Sequence, residues 1–137
     1  MAPQGLLAEV TRVHQFVTFT VHSASQHAFA EFTRRDPSAS SLAGFYQEKR
    51  DRFLELIRAS RFTPLACEGT YFQLLDYSGI SRDRDKDVAM WLLEQHKVAS
   101  IPVSALLYKD RGGPVLRFCF AKQDETLRAA AEKLVGV

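Results

Sequence analysis

Cysteine is scarce. The 137 residues contain two, Cys67 and Cys119, which excludes a disulfide-stapled scaffold. Both sit in apolar, strand-like stretches and read as small buried hydrophobes in a reducing compartment, with a single bridge between them as the weaker alternative. An excess of charge is also lacking: 18 basic and 16 acidic residues leave a net +2. No stretch carries a run of one sign, so nothing points to a nucleic-acid or membrane partner. Even Arg82 to Asp87 alternates in sign and cancels itself. No apolar run reaches the length of a membrane span and the N-terminus has no signal-peptide pattern, so the expectation is a soluble, cytoplasmic protein.

The catalytic motifs that carry their own chemistry are missing too. His14, His22, His27 and His96 are scattered and match no metal-ligand spacing, so no metal is expected. There is no Gly-x-Ser-x-Gly elbow. Arg111-Gly112-Gly113-Pro114 is a turn and not a phosphate cradle followed by a helix. The lysines fall on helix faces or in turns and read as solvated. No repeat or low-complexity segment appears.

What is present is an ordered alternation of elements. Leu6, Val10, Val13 and Val17 recur at helical spacing. The β-branched and aromatic run from Phe16 to Val21 then predicts a helix end near His14 or Gln15. Ser23 or Ser25 can cap a second helix with Ala28, Phe29 and Phe32 as its stripe. Asp36 to Ser41 is a loop by composition. A long helix from about Leu42 to Ser60 follows, with Glu48 and Arg52 spaced for an ion pair. Phe62–Cys67 and Thr70–Leu75 flank a hairpin-like break at Glu68-Gly69. Asp83 to Lys97 predicts a helix. Val98 to Leu107 is a strand interrupted by Pro102, which argues for an edge or a bend. Lys109 to Pro114 is a turn, Val115 to Lys122 a strand, and Asp124 is placed to cap a last helix.

From Phe62 onward this is an α+β domain, a mostly antiparallel sheet with helices on one face. Residues 1–41 form a helical arm, residues 42–61 a long connecting helix and residues 62–137 the small domain. The aromatic residues of the first sixty positions (Phe16, Phe19, Phe29, Phe32, Phe45) need something to pack against: the small domain, another chain or missing sequence.

Val115 to Lys122 holds the one awkward residue. Leu116, Phe118 and Phe120 share one face, and Val115, Arg117 and Cys119 the other. The apolar run predicts a strand buried on nearly both faces, where a guanidinium is costly without a partner. Arg117 reads either as an anion anchor, gripping a carboxylate with parallel hydrogen bonds, or as an edge-strand arginine reaching water.

Six stretches occur in matching order and spacing in a known family: His14–Phe19, Gln26–Ala28, Phe45–Asp51, Glu68–Phe72, Ile101–Ser104 and Leu116–Lys122. Together they resemble the C-terminal part of class I/II pyridoxal-phosphate-dependent aminotransferases of fold type I, nearest the methionine and kynurenine/glutamine branch. The resemblance spans essentially the whole chain. It implies that Arg117 binds the α-carboxylate of an amino-acid or 2-oxo-acid substrate. It further implies that Phe19 lines the substrate pocket, often that of the neighbouring subunit of a homo-oligomer, and that Tyr71 passes near the active site. The Schiff-base lysine, the acid at the pyridinium nitrogen and most phosphate contacts match positions upstream of Met1. The expectation is therefore an aminotransferase lacking its cofactor-binding half: inactive alone, not binding pyridoxal phosphate, with no catalytic residue in this chain. The alternative is a stand-alone, non-catalytic α+β module binding a small carboxylate or a partner protein.

Overall fold

The computed structural model describes residues 2–36, 40–108 and 112–137. The turn expected at Lys109–Pro114 lies partly outside them. The chain divides into two compact units, Met1–Ser40 and Ser41–Val137.

The N-terminal unit is two helices, α1 (Gln4–Val17) and α2 (Ser23–Arg35), neither with a buried residue. The first runs three residues past His14, through the β-branched run expected to end it. Helix propensity differences are a few tenths of a kcal/mol per residue, about 0.7 at most for ordinary residues, too small to stop a helix already propagating. The stop comes at Phe19, which adopts a left-handed φ of 57°.

Helix α3 (Ser40–Leu56) follows and ends short of the expected Ser60, because Ile57 to Ser60 turn. Its Arg52 pairs with Asp124 at 2.9 Å and not with Glu48. Four strands follow: β1 (Thr63–Pro64), β2 (Phe72–Asp76), β3 (Ile101–Pro102) and β4 (Val115–Cys119). They form one sheet in the order β1-β2-β4-β3, with every neighbouring pair antiparallel. Pro64 and Pro102 both lie in edge strands, where a missing N–H costs no ladder bond. Helix α4 (Asp85–Trp91) continues into a π-helical turn, Leu92–His96, closed by Lys97 at a left-handed φ of 56°. A 3-10 turn, Val103–Leu106, follows β3, and α5 (Asp124–Val135) closes the chain.

The core lies on one face of the sheet. Leu75, Leu116 and Phe118 of the strands meet Phe53 and Ile57 of α3 and its end, Val88 of α4, and Leu127, Ala131 and Leu134 of α5. Phe118 is central, with the rings of Phe62 and Phe53 at 5.8 and 6.5 Å. Gln73 is completely buried among these residues. Its Nε2 donates to the carbonyls of Leu65 and Leu74 at 2.6 and 2.9 Å, tying the loop after β1 to β2.

Two expectations fail at β4. The strand is buried on one face only: Leu116 and Phe118 are buried, Val115 and Arg117 half-buried and Cys119 exposed. Neither cysteine is a core residue, Cys67 being half-buried and Cys119 exposed; both are free thiols. An apolar residue type does not report which sheet face a helix covers. Asp124 is also not a cap: it is the first residue of α5, with Gln123 before it and no side-chain capping bond.

Candidate functional site

Register assembles the uncovered face of the sheet. Leu74 and Ile101 lie opposite Arg117 on its two sides, and Phe72 lies opposite Cys119. The Phe120 N–H donates to the Tyr71 carbonyl at 3.0 Å, extending the β2–β4 ladder and fixing Tyr71 at its end. A concavity of about 220 Å³ lies here, lined by Tyr71, Phe72, Ile101, Arg117, Cys119 and Lys122, among others.

Arg117 sits over the Phe72 ring, its guanidinium carbon 4.7 Å from the ring centroid. This cation–π stack orients the planar fork while leaving its edge N–H groups free. Among the described residues no hydrogen bond or ion pair engages the guanidinium. A half-buried, oriented arginine with unused donors fits an anion, and a carboxylate fits its paired donors best.

Of the residues singled out from sequence, Arg117 and Tyr71 line the same concavity. Tyr71 is 53% exposed and packs edge-on against Phe72 at 5.7 Å. Phe19 belongs to the other unit, 87% exposed at its left-handed position. An aromatic residue is uncommon in that backbone region.

Sequence reasoning missed Phe72, the platform for Arg117. Its only signal is register, which the sequence does not print. It also missed the Lys49 anchor. Lys49 Nζ, on α3, donates to the Lys122 carbonyl at 3.0 Å and to Asp124 at 2.6 Å. The hydrogen bond from Lys49, with the charges of Arg52, Lys49 and Arg128, holds the Asp124 carboxyl below its usual range against a smaller opposing effect of burial.

A larger depression of about 700 Å³ lies at the start of α4, lined by residues including Tyr77, Arg82, Arg84, Asp85, Asp87 and Ser104. Its charges alternate along the chain and neutralise one another. Asp85 is buried there and fully engaged, accepting from the Ser104 N–H and hydroxyl at 2.7 Å each and from the Lys86 N–H at 2.9 Å. The buried Tyr77 hydroxyl donates to the Asp83 carbonyl at 2.9 Å. Burial and then the nearby Asp85, Asp83, Asp76 and Asp87 carboxylates push its pKa up, so it stays neutral. With these groups satisfied, the depression offers less chemistry than the smaller concavity at Arg117. Among the described residues no group of His, Cys, Asp and Glu is placed to hold a metal ion.

Residues 2–134 match the family model for aminotransferase class I and II. The chain belongs to the class I and II aminotransferases. It is 42% identical over 135 residues to the methionine aminotransferase of Escherichia coli, covering 98% of this chain and 35% of that protein. It is 30% identical over 152 residues to kynurenine–oxoglutarate transaminase 3 of Mus musculus, covering 96% of this chain and 33% of that one. A solved Escherichia coli structure with a methionine aminotransferase function superposes with a TM-score of 0.85 and 40% identity, over 100% of this chain and 36% of the other. The N-succinyldiaminopimelate aminotransferase of Mycobacterium tuberculosis superposes with a TM-score of 0.82 and 28% identity, over 98% and 36%.

The chain thus spans about a third of the length of the curated relatives it matches, 35% of the Escherichia coli protein. The family implies pyridoxal phosphate in full-length proteins. Such a ring needs a lysine amine at its carbonyl carbon and a carboxylate at its pyridinium nitrogen. The Arg117 concavity has no acidic side chain in its lining. Its residues fit a carboxylate and not the whole cofactor.

Proposed function

We propose that this chain supplies the substrate-carboxylate half of an aminotransferase site. In the complete enzyme an amino group passes from an amino acid (methionine, glutamine, aromatic or kynurenine-like) to a 2-oxo acid. Arg117 grips the α-carboxylate, Tyr71 borders the same concavity, and Phe19 contributes an aromatic wall to the site, in a homo-oligomer that of a neighbouring subunit. The single observation that carries the reading is the Arg117 guanidinium, stacked on Phe72 and without a protein partner among the described residues. In this reading residues 1–41 belong with the large domain, residues 42–61 connect, and residues 62–137 form the small domain of a cytoplasmic enzyme. No helix among the described residues is long and apolar enough to cross a membrane.

The chain alone does not catalyse in this reading. Mixing it with pyridoxal phosphate, an amino donor and a 2-oxo acid is expected to give no turnover; transamination above the cofactor-only rate overturns that part. Joining it to the remaining two-thirds of the Escherichia coli relative is expected to give a complete, active enzyme. There Arg117→Ala is expected to lower kcat/KM on the order of a hundredfold, the scale for removing one partner of a desolvated charge-assisted pair. An unchanged kcat/KM removes the role.

A second reading, a non-catalytic carboxylate-binding module, draws on the self-contained core of the second unit. It differs in outcome: Arg117-dependent ligand binding by the chain, with a chimera that stays inactive.

A further inference from the structure

The connection between β1 and β2 holds a strained residue. Thr70 adopts a left-handed φ of 68°, and it is β-branched, the residue class least suited to that region. Gly69 keeps an ordinary φ, so the residue that could turn left-handed without cost sits one position too early. Such a conformation persists only where its surroundings over-determine it. Here both ends are fixed. Upstream, Arg50 of α3 donates from Nη1 to the Cys67 carbonyl at 2.9 Å, while its Nε donates to Asp51 at 2.8 Å. The Cys67 thiol lies 3.1 Å from the Gly69 carbonyl and 3.5 Å from that of Phe72, reaching across the turn. Downstream, the Tyr71 carbonyl accepts from the Phe120 N–H just past β4. The two residues that follow Thr70 are Tyr71, which lines the Arg117 concavity, and Phe72, the platform of its guanidinium.

We propose that Arg50 is a positioning residue for the Arg117 site: its bond to Cys67 offsets the strain at Thr70, so that Tyr71 and Phe72 meet Arg117 in one arrangement. The inference rests on the reading of Arg117 as the carboxylate anchor and adds what sets that anchor's platform. Arg50 does not line the concavity and acts on it through residues 67–72. A guanidinium donating to a carbonyl makes a charge-assisted hydrogen bond, stronger than the neutral kind. It comes from a helix whose Phe53 is part of the core, so the anchor is rigid. Without that bond the turn is free to relax to a negative φ at Thr70. Because Tyr71 and Phe72 follow directly, a change of sign there redirects both rings and loosens the stack under Arg117.

The test reads the Arg117 Nε–H signal of the 15N-labelled chain, first without ligand and then on titration with pyruvate, the simplest chiral-free 2-oxo acid. A guanidinium stacked on a ring feels its ring current, so this signal reports the Phe72 platform directly, and Phe72→Leu calibrates the unstacked position. Arg50→Met is expected to move the signal toward that position and to weaken pyruvate binding about three- to tenfold, the scale of coupling within one hydrogen-bonded network. Thr70→Gly takes the left-handed φ without cost. It is expected to change neither reading by itself and to restore both in the Arg50→Met chain. Arg50→Lys keeps the charge but not the fork that spans Asp51 and Cys67. It is expected to shift the signal the same way by less, so the outcome does not depend on Arg50→Met folding. An Arg50 that serves stability alone lowers the Tm and leaves the Arg117 signal of the folded chain in place. An unmoved signal in the folded Arg50 variants, or a shift that Thr70→Gly does not reverse, overturns the role of Arg50 while leaving Arg117 standing. Pyruvate that leaves the parent chain's Arg117 signal unmoved overturns the anchor reading, and the inference falls with it.

Discussion

At the scale of single residues, the chain separates charges that are used up from charges that are not. Asp124 is used up: Lys49 and Arg52 reach it at 2.6 and 2.9 Å. Its folded pKa lies below the unfolded value near 3.8. A carboxyl depressed in the folded state stabilises it above the unfolded pKa, and that contribution is lost as pH falls through the folded pKa. Asp124→Asn is therefore expected to lower the Tm at neutral pH and to shrink the difference from the parent chain as pH falls below about 4. Thermal melts between pH 7 and 2 check this; a difference that stays constant with pH refutes the linkage. Arg117 is the opposite case, stacked on Phe72 with its donors idle. The sequence singled out Arg117 because a charge in an apolar run is rare, on the expectation of burial on both faces that the open face of β4 overturns. It could not mark Phe72 as its partner, because cross-strand neighbours come from register.

At the scale of elements, one buried carboxylate fastens helix α4 to the turn after β3. Ser104 donates to Asp85 through both its N–H and its hydroxyl, and Asp85 is 5% exposed. Removing the acceptor leaves both donors buried and unpaired. Asp85→Ala is expected to cost about 2–3 kcal/mol, the range for unsatisfied buried donors. Chemical denaturation measures it, and a loss under about 0.5 kcal/mol, the level of an ordinary surface change, shows the contact to be incidental. The same contact is guarded by Gly112, where an added Cβ would fall 2.6 Å from the Ser104 nitrogen. In the sequence, Asp85 is indistinguishable from its alternating neighbours Asp83 and Asp87. Which of three similar aspartates turns inward is decided by where α4 starts relative to Ser104.

At the scale of the whole molecule, the two units differ in how they are held. Among the described residues the buried apolar cluster lies within 41–137, and α1 and α2 bury nothing. Phe16, Phe29 and Phe32 are 78%, 71% and 55% exposed. Large exposed apolar side chains of this kind favour association. A chain shortened to residues 41–137 is expected to keep a cooperative thermal transition within a few degrees of the parent, since it keeps the core. It is also expected to sediment as a monomer while the full chain self-associates. Loss of cooperative unfolding, or equal sedimentation of the two chains, contradicts the respective expectation.

The sequence by itself determined much of this protein. Hydrophobic period placed the helices, the proline in Val98–Leu107 predicted an edge strand, and alternation put Leu116, Phe118 and Phe120 on one face. Six short motifs in order were enough to point to the family. These signals are legible because local periodicity and chain order survive without knowledge of contacts. What only the tertiary structure decided was which faces are covered and which charges meet. It left one face of β4 open, exposed Cys119, set Phe72 beneath Arg117, and brought Lys122 to the same concavity. Those outcomes depend on strand order and register between segments far apart in the chain. A run of residue types carries the cost of burying a charge, but only the fold decides whether that charge is buried, paired or left free.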